Sequence, residues 1–188
     1  YGSNGCYGYN IDASNSTSLQ LYCDSDNQYQ GGCQYATIQC PPSLCSINCN
    51  DYYSCYLAVI NASQNTNLNM VCTPEDSSCS KAIVYATHSN SANISCNVGS
   101  HLTSSSNSAC NVIDIYGQNA TYLALRCDGD YSCSYIDLKA TTANNVNIYA
   151  RGKYSMYYGT IHGENSNSMN IYCGSEKSEY GCYHPSFY

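Results

Sequence analysis

The chain repeats one motif seven times. Segments opening at Cys6, Cys33, Cys55, Cys79, Cys110, Cys133 and Met156 align in a single frame, with an aliphatic residue five places on and a closing residue 17 places on. The closing residues are Cys23, Cys72, Cys96, Cys127, Ala150 and Cys173, and in the segment from Cys33 the closing Cys comes one residue early, at Cys49. A period near 23 residues that stretches only between closing and opening Cys marks a solenoid, in which each repeat buries its apolar face against the repeats before and after it.

Counted from the opening residue as place zero, place five holds Ile11, Ile38, Ile60, Val84, Ile115, Leu138 and Ile161. Places three and seven are mostly Ala, Gly or Ile, while Asn, Asp, Thr, Gln and Lys fill the places between, so the stretch alternates with a period of two. A polar turn follows, and then a second alternation brings in pairs such as Leu19 and Leu21, Leu68 and Met70, Leu123 and Leu125, and Val146 and Ile148, with the closing Cys in phase. Two short strands per coil can bury their inner faces only against each other across a thin core. The expected fold is therefore all-β: a parallel β-solenoid of about seven coils, with small residues at place seven where its two sheets converge. At about 4.8 Å per coil such a rod rises roughly 34 Å. Residues 1–188 read as a single solenoid domain, begun and broken off in mid-coil, and so either uncapped or part of a longer chain.

Fifteen cysteines without paired CxxC clusters read as disulfides of an oxidising compartment and not as zinc ligands. Cysteines at equal places in successive coils would also lie within bridging distance, so axial pairing competes with pairing across the loop between coils. One deviation decides between them: Ala150 and Met156 replace a closing and the next opening Cys together, which axial pairing would not require. The expected bridges are Cys23 with Cys33, Cys49 with Cys55, Cys72 with Cys79, Cys96 with Cys110, Cys127 with Cys133 and Cys173 with Cys182. Cys40 and Cys45 pin the opposite turn in the coil that is one residue short. Cys6 remains unpaired; its partner lies either upstream or in another subunit.

Four Asn-x-Ser/Thr sequons, at Asn15, Asn61, Asn93 and Asn119, fit the same secretory route and are the expected N-glycan carriers. Asn61 and Asn93 fall at outward places and Asn15 and Asn119 on the turn, so none is expected in the core. At place fourteen Gln20, Asn69, Asn93, Asn147 and Asn170 form a candidate amide ladder. Twenty-two Tyr stand against one Phe and no Trp, and many of them, including Tyr85 and Tyr116 beside Asn61, fall outside, where rings stack on sugar or on a neighbouring rod. The net charge of -7 argues against nucleic acid and anionic membrane as partners, and no apolar run approaches the length of a membrane span.

The best catalytic constellation in the chain is Asp114 and Asp137 at place four of adjacent coils, with Lys139 and His162 beyond. Two carboxylates about 5 Å apart suit glycoside hydrolysis. Yet solvated acids on a strand face account for the pair, and no long loops build a groove, so the chain is not expected to be an enzyme; lyase or hydrolase chemistry ranks last. Asp24 with Asp26, and Asp128 with Asp130, offer too few oxygens for calcium, and no metal or cofactor is expected.

A closing Cys, a short Asp/Gly/Tyr/Ser loop, an opening Cys and an Ile or Leu five places later resemble the Cys-rich parallel β-helix repeats of secreted and cell-surface proteins in microbial eukaryotes, over essentially the whole chain. The resemblance implies a structural subunit of an extracellular N-glycosylated filament, self-assembling head to tail. The alternative is a carbohydrate-binding or adhesive surface stalk.

Overall fold

The computed structural model describes residues 5–24, 31–63, 66–73, 77–97, 109–174 and 181–188. Among them all regular structure is strand: β1 (Asn10–Asp12), β2 (Ser18–Cys23), β3 (Thr37–Gln39), β4 (Leu44–Cys49), β5 (Val59–Asn61), β6 (Asn67–Cys72), β7 (Ile83–Tyr85), β8 (Ser91–Asn97), β9 (Asp114–Tyr116), β10 (Tyr122–Asp128), β11 (Asp137–Lys139), β12 (Asn145–Arg151), β13 (Met156–Tyr157), β14 (Thr160–His162), β15 (Ser168–Cys173), β16 (Cys182–Tyr183) and β17 (Ser186–Phe187). Each coil sends a strand of two or three residues into one sheet, of order β1-β3-β5-β7-β9-β11-β14-β17, and all but the last described coil send a longer strand into a second, of order β15-β12-β10-β8-β6-β4-β2. Every pairing is parallel, so the chain is a two-sheet β-solenoid, with a small third ladder joining β13 to β16.

Alternation sets the core. Ile38, Ile60, Val84, Ile115, Leu138 and Ile161 from the first sheet meet Ile47, Leu68, Met70, Ile94, Leu123, Leu125, Val146 and Ile148 from the second, all buried. Each such aliphatic side chain contributes about 1.5–3 kcal/mol by leaving water. The convergence at place seven is tight: a Cβ on Gly117 would lie 2.6 Å from Leu123 Cδ2, and one on Gly163 would lie 2.0 Å from Met169 Cε. Glycine at place seven thus accommodates Leu123 in one coil and Met169 in another, while alanine there accompanies Leu68, Ala92 and Val146. In the short coil the same corner is closed covalently, by Cys40–Cys45.

That coil keeps register on both sides. Ile38 pairs with Ile11 and Ile60, and Cys45 with Leu19 and Leu68, so the missing residue comes out of the turn between the strands.

The corner between coils was not foreseen in its backbone. Place two adopts a left-handed conformation in every coil: Gly8 (φ 67), Tyr35 (59), Leu57 (56), Lys81 (57), Val112 (58), Tyr135 (56), Tyr158 (50) and His184 (51). In the first four coils the place-three N–H donates to the place-zero carbonyl, as Ala36 does to Cys33 at 3.1 Å. All but His184, in the last coil, donate their own N–H to the next coil, as Tyr35 does to Tyr56 at 3.0 Å and Val112 to Ser134 at 2.8 Å. A left-handed L-residue costs roughly 1–2 kcal/mol, which these bonds along the axis offset. Just before the opening position stand Gly32, Ser54, Ser78, Ala109, Ser132, Ser155 and Gly181, all small and all buried, because loops of successive coils stack backbone on backbone there.

One inward assignment fails. Tyr9, at place three, is 64% exposed, since a phenol ring is too large for a site that elsewhere holds Ala, Gly, Ile or Pro in the described coils.

Candidate functional site

The chemistry that this fold can present lies on its corners and its outer columns. At the loop corner the structure joins Cys23 to Cys33, Cys49 to Cys55, Cys72 to Cys79, Cys96 to Cys110, Cys127 to Cys133 and Cys173 to Cys182, with Cys40 joined to Cys45 across the turn. Sulfurs of successive bridges stack, as those of Cys23, Cys49 and Cys55 do within 4.8 Å, and being oxidised they are not metal ligands. Seven disulfides in 188 residues place the folded chain in an oxidising environment. Where the column lacks a bridge, Ala150 and Met156 fill the space, fully buried, and Gly159 makes room: a Cβ there would lie 3.0 Å from Met156 Cγ. Cys6 is a free thiol, half-buried at the first described coil.

All four sequon asparagines avoid the core. Asn93 is exposed on β8, where its Nδ2 donates to Ser91 Oγ at 2.9 Å. Asn15 and Asn119 are exposed on the turn, and Asn119 itself is left-handed (φ 57), its Oδ1 accepting from Thr142 Oγ1 at 2.7 Å. Asn61 differs: it is half-buried, donating from Nδ2 to Gln39 Oε1 at 2.8 Å and accepting at Oδ1 from the Ser63 N–H at 3.3 Å.

The outer columns stack as parallel register requires. Tyr85 lies on Tyr116 with centroids 4.9 Å apart, and Tyr149 on Tyr172 at the same separation with planes within 5°. Lys139 Nζ sits 4.5 Å over the Tyr116 ring. The amide ladder is realised between Asn147 and Asn170, at 3.1 Å, and is interrupted at Ala124, which occupies that place on β10. A larger aromatic group at the loop corner gathers Tyr131, Tyr135, Tyr154, Tyr157, Tyr158 and Tyr183 around the unbridged coil. Partial burial and the neighbouring phenols of Tyr158, Tyr135 and Tyr183 push Tyr157 above the ordinary phenol range.

The acidic pair is brought together: Asp114 and Asp137 are register partners on β9 and β11. Lys139 Nζ holds Asp137 Oδ2 at 2.8 Å, and His162 Nε2 lies 3.8 Å from Asp137 Oδ1. Burial raises the Asp114 carboxyl above the usual range, the Asp137 charge adds to this, and Lys139 opposes it. Both carboxylates stand on a plain sheet face between Ile83 and Thr160, their register neighbours. Asp24 accepts from Asn50 Nδ2 at 2.8 Å, Asp128 pairs with Arg126, and Asp130 accepts the Lys153 N–H at 2.6 Å. Asp26 lies outside the described residues.

Sequence reading missed the polar concavity beside Asn61, of about 290 Å³, which Ser14, Gln39, Cys40, Pro42, Asn61 and Ser63 line. Its signal was the missing residue in the second coil, next to a sequon at an outward place. Among the described residues no helix is long and apolar enough to cross a membrane. No protein-family model matches the chain, and no match is found among characterised proteins or solved structures.

Proposed function

We propose that the chain is a structural subunit of an extracellular, N-glycosylated filament built by end-to-end stacking of solenoids. The observation that carries this reading is the regular parallel stack, in which each coil presents the same hydrogen-bonded strand edges and inward aliphatic residues to the coil beside it. An edge of this kind accepts a further parallel coil, and a head-to-tail contact whose rotation does not close propagates as a fibre. The oxidising environment required by the bridges, and sequon asparagines that all point away from the core, support secretion and glycosylation.

The protein is to be expressed in a glycosylating secretory host and imaged in negative stain, with intact mass measured before and after deglycosylation. Long uniform fibres and sugar on the sequons are the expected result. Discrete particles at every concentration, with bare sequons, would overturn it. The second reading, a carbohydrate-binding or adhesive stalk, draws on the exposed stacked tyrosines, and glycan-array binding by discrete particles would favour it.

A further inference from the structure

The second coil is short by one residue, and the loss falls in its turn, which the Cys40–Cys45 bridge and Pro41-Pro42 draw in against the core. The turns of the flanking coils keep their full length. Between them the withdrawn turn leaves the concavity of about 290 Å³ lined by Ser14 from the first coil, Gln39, Cys40 and Pro42 from the second, and Asn61 and Ser63 from the third. The lining offers two hydroxyls and two carboxamides around one proline ring and no charged group. Such a mixture of neutral donors, acceptors and a small apolar face suits a pyranose ring better than an ion or an apolar ligand.

Asn61 lies in the wall of this concavity, and its amide is already turned toward it. Nδ2 donates to Gln39 Oε1 and Oδ1 accepts from Ser63, so the side chain is laid along the turn and does not stand off the sheet. Sugar is attached at that same nitrogen. The geometry points to the concavity as a seat for the first one or two sugar residues of the glycan carried by Asn61 itself. This rests on the glycosylation reading above and adds where that glycan goes. An open, uncharged, wet site would hold free sugar poorly, but a tethered ring is present at an effective concentration in the millimolar range or above, so little intrinsic affinity suffices. The seated glycan would lie along the turn corner over the first two coils, whereas glycans on Asn93 and Asn119 would start from exposed positions.

The test uses the intact, secreted glycoprotein. Site occupancy is first measured by mass spectrometry, and peptide-N-glycosidase is then applied without denaturation, release being followed site by site. Release from Asn61 is expected to be about tenfold slower than from Asn93, as for a seat occupied roughly nine-tenths of the time, and equal after denaturation. Ser14→Phe, a change at an exposed residue that fills the concavity, is expected to abolish the lag. Nuclear Overhauser contacts from the first N-acetyl group to Pro42 ring protons supply a readout independent of the enzyme. Equal native release rates, a lag that Ser14→Phe leaves intact, or no contact to Pro42 would each overturn the seat. A bare Asn61 beside occupied Asn93 and Asn119 would also overturn it while sparing the glycoprotein reading; four bare sequons would remove both.

Discussion

Ala150 stands in register between Cys127 and Cys173 on the second sheet, the one closing position without sulfur, and Met156 occupies the opening position that a disulfide partner would take. Its separation of six residues equals that of Cys49–Cys55 and Cys127–Cys133. The double substitution A150C/M156C should therefore form an eighth bridge and raise stability by about 2–3 kcal/mol, less whatever the loss of Met156 packing costs. Denaturant unfolding with and without reductant measures the gain, and non-reducing peptide mapping identifies the bond.

Val112 is β-branched and left-handed, a combination that few proteins tolerate. Val112→Gly should stabilise the chain by up to about 1 kcal/mol, because relief of backbone strain exceeds the entropy that glycine adds to the unfolded state. Val112→Ala, which keeps a Cβ, should bring no comparable relief. Urea midpoints of the three proteins decide the matter.

Asp114 gives the fold a pH dependence of definite sign. Its folded carboxyl titrates above the ordinary value of 3.8, so the associated stability is fully present below that value and is lost as pH rises through the raised one. Asp114→Asn removes the loss. The variant should match the parent near pH 3 and exceed it at neutral pH, by a small margin because the side chain is only half-buried. Thermal unfolding across that range measures the difference. Coincident curves at neutral pH would exclude the raised titration, by burial and by the Asp137 charge alike.

Phe187 is the inward fifth-place residue of β17 and pairs with Ile161 on one side only. Phe187→Asp should abolish fibre growth while leaving the circular dichroism spectrum and all seven bridges unchanged. Fibres of undiminished length from the variant would place the assembly contact elsewhere.

The frame, the strands and the inner residues were readable because alternation and the repeated Cys encode them directly, as at Ile38, Ile60 and Leu138. The left-handed place two was not. Leu57, Val112 and Tyr135 are not turn formers, and only Gly8 carried the ordinary signal; what imposes the conformation is bonding to the next coil, which no local propensity expresses. The column of small residues from Gly32 to Gly181 went unread in the aligned repeats, because it acquires meaning only once successive loops stack. The concavity at Asn61 is further removed, since Ser14 and Ser63 are brought near each other only by the shortness of the coil between theirs.

The bridges that link one coil to the next span from 6 to 14 residues, yet their Cα atoms remain between 5.3 and 5.9 Å apart. These differences in loop length are taken up at the bridged rim, and neither sheet registers them. Foreign peptide spliced between Cys96 and Cys110 would be clamped at both ends by an existing bond and carried outward without disturbing the spool, making that rim a ready attachment point for displayed cargo.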